Sequence, residues 1–265
     1  MDTEKYMRMI RNNPYVIERI ENPTDAMKLL AVQLNGLALQ YIQNPTEEMQ
    51  EAAVANTARA IQFIDHPSEA LLLKAVRMSW NNLAYIPNPP QALIDAALAQ
   101  SGWAIKFVSH PSETMQLEAV RKNYDAIKYI HAPSTAVQEE AVRQNYEALR
   151  YIEQPASSAV YLAIRENEQA VRLLAQPTHE ELLQFIRINV LTVKYLPPNC
   201  DVSRQEIKDT IKDVLAQQDV DEQYVRNFIN CTALNMTPME KVKLVDAWGS
   251  AKARKITVDE KLTIQ

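Results

Sequence analysis

Ten cations between Ser101 and Pro198 are the residues whose type and spacing most suggest surface chemistry: Lys106, Arg121, Lys122, Lys128, Arg143, Arg150, Arg165, Arg172, Arg187 and Lys194. All except Lys122 fall at two fixed places in a 22-residue register, and the eleven acids of the same stretch avoid both places. Repetition turns each place into a ladder of like charge, with rungs about 8–10 Å apart when neighbouring helices pack normally. Such a ladder suits an anionic partner, either a phosphate backbone or an acidic protein surface of complementary charge. Tyr124 and Tyr146 precede Lys128 and Arg150 by one α-helical turn, which places aromatic faces beside the cations. Cations in the last turn of a helix also complement its dipole, so a purely structural role stands beside the binding one. A net charge of −5 and a pI near 5.5 count against indiscriminate DNA binding.

Trp80 and Trp103 form a second candidate. They lie where the register is least regular: Asn82 stands where six other repeats have alanine, and Trp103 follows Asn81 by 22 residues. Tryptophan is favoured at binding hot spots, although an imperfect repeat explains the irregularity as well. Seven aromatics recur at one further place (Tyr41, Phe63, Tyr85, Phe107, Tyr129, Tyr151 and Tyr195). They read as packing between repeats with phenol hydroxyls at the surface, or as a base-stacking platform.

Chemistry of other kinds finds little to work with. The three glycines, Gly36, Gly102 and Gly249, are too dispersed to build a phosphate-cradling loop. Cys200 and Cys231 form no C-x-x-C. His66, His110, His131 and His179 make no i,i+4 metal pair. His66 and His110 precede a repeat proline and read as helix caps. No acid pairs with Ser, Cys or His at a catalytic spacing, so neither catalysis nor a cofactor is expected. Apolar runs are too short for a membrane helix. The N-terminus lacks the basic-then-apolar order of a signal peptide, which makes the expected location cytoplasmic.

The elements that must position these side chains come from the period. Pro23, Pro45, Pro67, Pro89, Pro111, Pro133, Pro155 and Pro177 are spaced by 22 residues, the signature of a repeat architecture. With each proline as position 1, the cations occupy positions 11 and 18 and the recurrent aromatics position 19; a proline-less repeat precedes, starting at residue 1. Position 10 (Ile10, Val32, Val54, Val76 and onward), position 17 and position 20 are apolar in all nine repeats, and positions 9 and 16 are mostly alanine. These spacings are helical. Asn-Pro-Thr-Asp (22–25) and its relatives suggest a capping asparagine with proline at the first helical position, and position 13 (Asn, Ser or Thr throughout) restarts a second helix. Each repeat therefore predicts a helix of about ten residues, a corner, and a helix of about seven. Ile127 and Leu149 fall on the core face and Gln138 on the exposed one.

Leu30–Tyr41 (L-A-V-Q-L-N-G-L-A-L-Q-Y) and Glu118–Tyr129 (E-A-V-R-K-N-Y-D-A-I-K-Y) resemble the repeat of domain-of-unknown-function 4116, with its A-V-x-x-N-x-x-A-L-x-Y/F core, over roughly residues 1–198. The first repeat, without proline, and the last, with Phe185 for alanine, depart from it as terminal repeats do. The resemblance implies a helical repeat found in bacterial, protist and large-virus proteins, and no activity.

The expectation is thus an all-α protein, an α-solenoid of about nine 22-residue helical hairpins over 1–198. A non-repeating helical segment, 199–265, follows as an end cap or a small binding module. Helices are expected over 203–217 and near 220–230 and 238–248, with 251–265 frayed. The expected function is a non-enzymatic scaffold that binds a partner protein, of bacterial or viral effector or inhibitor type by the resemblance. The alternative is a nucleic-acid or nucleotide-binding repeat protein using the basic ladder.

Overall fold

The computed structural model describes residues 2–263, and among them there is no β-strand. Each repeat opens with an α-helix: α1 Asp2–Asn12, α2 Asp25–Leu34, α3 Glu47–Asn56, α4 Glu69–Met78, α5 Gln91–Leu98, α6 Glu113–Lys122, α7 Thr135–Gln144, α8 Ser157–Glu166 and α9 His179–Ile188. The second helix of every repeat is a six-residue 3₁₀ helix at positions 14–19, from Pro14–Arg19 to Val190–Tyr195. Runs of this length are uncommon, and here one recurs nine times among the described residues.

The corner residue explains the switch. Position 13 is extended in every repeat, as in Asn35 (φ −152°, ψ 109°), where it precedes the 3₁₀ helix as its N-cap residue; outside repeat 5, whose α5 already ends at Leu98, it also ends the α-helix. Its carbonyl accepts from the N–H three residues on, as in Ala38 to Asn35 (2.9 Å), and position 20 closes the run in the same i to i+3 pattern. With three residues per turn, positions 17 and 20 eclipse one another and both face inward. That is why Leu39 and Ile42, or Ile127 and Ile130, are buried together.

The cap of the α-helix lies two residues later than the sequence suggests. Thr24, Thr46, Ser68, Ser112, Ser134 and Thr178, at position 2, accept from the backbone N–H three residues on. Proline therefore precedes the cap, and Ser68 and Ser112 do the capping assigned to His66 and His110. Position 22 serves the turn instead: Asn44 and Asn88 (φ 49° each) and Ala132 (φ 47°) are left-handed, a conformation that asparagine tolerates better than most residues.

Two compact units divide the chain at 131/132, before the last residue of repeat 6. In the first, α1–α6 pack side by side as one layer and the six 3₁₀ helices as a second. Ala31, Ala53 and Ala75 from the α-helices and Ala38 and Ala60 from the 3₁₀ helices are fully buried between the layers. Gly36 lets a backbone approach where no side chain fits: a Cβ there would lie 2.1 Å from the Ala53 carbonyl oxygen. Repeats 4 and 5 are the irregular pair. Asn82 is buried and donates to the Ala75 carbonyl (2.8 Å), and α5 is shortened to eight residues with Pro90 as an N-cap without a side-chain bond.

In the second unit, repeats 7–9 keep the two layers, and four α-helices follow: α10 Arg204–Leu215, α11 Glu222–Asn230, α12 Pro238–Trp248 and α13 Ala251–Thr263. They share one core with Ile186 and Val190 of the last repeat, built on Ile211, Leu215, Phe228 and Ile229. The expectation of a frayed end is overturned through Thr263; Ile264 and Gln265 lie outside the described residues. Ala253 and Ile256 are buried, and Arg226 and Asn230 of α11 bond to Glu260. Gln138 is likewise corrected. It is buried, donating from Nε2 to the Pro133 carbonyl (3.0 Å) and accepting at Oε1 from the Ala156 N–H (2.8 Å). Gln50 and Gln116 make the same bond to their own repeat proline.

Candidate functional site

In the first unit the 3₁₀ layer carries a connected row of aromatic and charged side chains over repeats 4–6. Trp80 sits at position 14, Trp103 at 15 and Lys106 at 18, and Asp125 and Lys128 repeat the last two places one unit on. The two indoles lie 6.5 Å apart between ring centroids, and Phe107 is 6.3 Å from Trp80. Lys106 Nζ stands over Trp80 (5.2 Å) and Phe107 (4.6 Å), and Lys128 Nζ over Trp103 (5.9 Å) and Tyr129 (5.1 Å). These distances permit cation–π attraction. Trp103 and Tyr129 remain about two-fifths exposed (39% and 43%).

Asp125 ties the row together. Its Oδ1 accepts from Trp103 Nε1 (2.7 Å) and its Oδ2 from Lys128 Nζ (2.9 Å). Partial burial pushes the carboxyl up, but the bonds from Lys128 and Trp103 outweigh it and hold the group below the usual carboxylate range. The 3₁₀ geometry sets this pairing. Three residues make one turn, so position 15 eclipses position 18, and the acid at 15 takes the place beside the cation that an α-helix would give to Tyr124 at position 14. Tyr124 itself is half-buried, and Arg121, at position 11, is exposed on the last turn of α6.

In the second unit the same rule recurs. Arg150 follows it, pairing with Glu147 (3.5 Å) one 3₁₀ turn away, whereas Lys194 lies 3.8 Å from Glu168 of the preceding repeat and Arg172 stands 5.9 Å over Tyr195. Tyr146 is half-buried. Position 11 belongs to the other layer: Arg143, Arg165 and Arg187 are exposed on the last turns of α7, α8 and α9. Arg143 pairs with Glu140 (3.1 Å). Arg187 lies near the buried Tyr224 hydroxyl, whose pKa burial raises. The structure thus divides the cations of each unit between the α layer and the 3₁₀ layer.

Sequence reasoning passed over a cleft of about 780 Å³ in the second unit, between α10 and α12. The signal was present, since Arg204, Lys208 and Lys212 recur every four residues beside the apolar Ile207 and Ile211. A lone helix does not reveal that a second helix stands across from that face. Among the described residues no group of three or more His, Cys, Asp or Glu side chains is placed to hold a metal ion, and no helix is long and apolar enough to cross a membrane. Compared with family models, curated proteins and solved structures, the chain matches none.

Proposed function

We propose that the chain is a non-enzymatic interaction scaffold whose 3₁₀ face docks a partner protein, with Trp80, Trp103, Lys106 and Lys128 at the centre of the contact. The supporting observation is the indole–ammonium row, exposed at Trp103, Lys106 and Lys128, in which Asp125 pairs with Lys128 and bonds to Trp103. Tryptophan and tyrosine are enriched at protein hot spots. A surface that gains affinity by releasing counterions from phosphates needs cations free of such acids. Position 18 is tied to Asp125, Glu147 or Glu168 in three of its rungs, which favours protein over nucleic acid. Membership of the domain-of-unknown-function 4116 repeat family belongs to the same proposal and rests on the A-V-x-x-N-x-x-A-L pattern.

The test is affinity capture from the native cell with wild-type chain and with Trp103→Ala/Lys106→Glu, each with and without nuclease. The expected result is a captured protein that the variant loses and nuclease leaves in place, with the helical circular dichroism of the variant retained. Release by nuclease would replace this reading with the nucleic-acid one, and undiminished capture by the variant would remove the row from the interface.

A further inference from the structure

The four C-terminal helices carry a feature the repeats lack. Along α10, Arg204, Lys208 and Lys212 stand four residues apart, about 6 Å of helix rise per step, and Lys243 of α12 joins them in lining the cleft. Behind this rim lie Ile207 and Met236, both half-buried, with Leu234 and Leu244 deeper. At one end Trp248 is 60% exposed, with Lys212 Nζ 5.1 Å over its ring.

The charge of this cleft is not balanced from within. Asp209 pairs with Lys212 (2.8 Å). Glu240, the acid of the lining, accepts from the Thr237 N–H (2.6 Å) and hydroxyl (2.8 Å). Those bonds hold its carboxyl below the usual range, with Lys208 and Lys243 adding to the effect. Arg204, Lys208 and Lys243 have no ion-pair partner among the described residues. Two features disfavour a compact phosphate ligand. The cations are strung along a helix, where a phosphate seat needs converging donors. The N-termini of α10 and α12 are already closed by their own carboxylates, Glu206 and Glu240, in capping boxes.

We infer that the cleft between α10 and α12 is a second docking site, shaped for an acidic amphipathic helix of a partner protein. Apolar side chains on one face of that helix seat against Ile207, Met236 and Trp248, and its acids meet Arg204, Lys208 and Lys243, the groove-binding mode of helical peptides. The inference does not rest on the 3₁₀ face being an interface.

The experiment uses the full chain with Trp80→Phe and Trp103→Phe, which leaves Trp248 as its sole tryptophan. The probe is a synthetic helical peptide with leucine at i, i+3, i+4 and i+7 and glutamate at most other positions. Saturable blue-shifted Trp248 emission is expected, with a dissociation constant of about 1–100 µM. Replacing the peptide's glutamates by lysine, scrambling its leucines, or introducing Lys208→Glu/Lys243→Glu should each weaken binding about tenfold or more, and added salt should weaken it as well. If the charge reversal disturbs the helical circular dichroism, Lys208→Gln/Lys243→Gln carries the same expectation. Three results overturn the inference: no saturable change at millimolar peptide, equal binding of the lysine peptide, or tighter binding of ATP than of the acidic peptide. Because both repeat tryptophans are absent from this background, failure of the repeat-face reading leaves the outcome interpretable.

Discussion

Between repeats, burial is made of small residues used many times over. Ala31, Ala53, Ala75, Ala97, Ala119, Ala141 and Ala163 are each fully buried at position 9, and the core positions around them take valine, isoleucine, leucine or methionine. The C-terminal helices bury a few large and individual side chains: Phe228, Tyr224, Ile211, and a lysine, Lys241, whose ammonium donates to the Ile229 and Cys231 carbonyls (3.0 and 2.6 Å) near the end of α11. A repeat spreads stability over many equivalent contacts with its neighbours, whereas a bundle with one core concentrates it. The same contrast governs surface charge. In the 3₁₀ layer Asp125 and Glu147 pair with the cation one turn on, while the cleft beside α10 leaves Arg204, Lys208 and Lys243 unpaired among the described residues.

The largest expected effect sharpens this comparison. Phe228→Ala should cost about 3–5 kcal/mol and Ile127→Ala about 2–5 kcal/mol in denaturant melts, because each deletes a fully buried side chain. Phe228→Ala should act on the C-terminal helices as a block, while Ile127→Ala should loosen repeats 5 and 6 first. Hydrogen exchange resolves the two patterns, and a block-wide loss of protection for both would erase the distinction.

A smaller effect is expected at Gln138. Its substitution by alanine removes two bonds and leaves the Pro133 carbonyl and the Ala156 N–H without that partner, a loss of about 1–3 kcal/mol when such groups stay buried. A neutral result would restore the exposed role read from the sequence.

The smallest effect depends on pH and concerns the junction of the last repeat with α10. His179 has Asp201 3.0 Å from Nδ1, placed as a charge contact, and Glu206 3.0 Å from Nε2. Asp201, then Glu206, raises its pKa above the ordinary histidine value. The two carboxyls are held below theirs, Asp201 chiefly by His179 and Glu206 chiefly by the Ser203 hydroxyl. A raised histidine pKa contributes stability that is complete below the unfolded value and disappears as pH rises through the folded one. Lowered carboxyl pKa values contribute above their unfolded values and are lost as pH falls through the folded ones. The melting difference between wild type and His179→Gln should therefore be greatest between about pH 4.5 and 6.5, and should shrink on either side. A pH-independent difference would show that the contact is packing alone.

The repeat was legible because its physics is local and reiterated. Position 10, the alanines at 9 and 16 and the corner residue at 13 state the same requirement nine times, so the helix–corner–helix unit and its buried face follow from spacing. Local signals also placed α10, α11 and α12 to within a few residues. The type of the second helix was less legible, since an apolar pair at 17 and 20 suits an α-helix and a 3₁₀ helix alike. Only the observed i to i+3 bonds distinguish them, and with them which side chain stands beside each position-18 cation. Gln138 was misread because its burial comes from Ala156 of the following repeat, and α13 because its support comes from Arg226 and Asn230 of α11. What the chain determined by itself was the set of contacts repeated at short range. Tertiary structure alone decided the long-range, unrepeated ones: Trp80 against Trp103, Asp125 between Trp103 and Lys128, and α12 across from the basic face of α10. No period announces such contacts, because each is made once, between residues whose separation the sequence does not encode as a pattern.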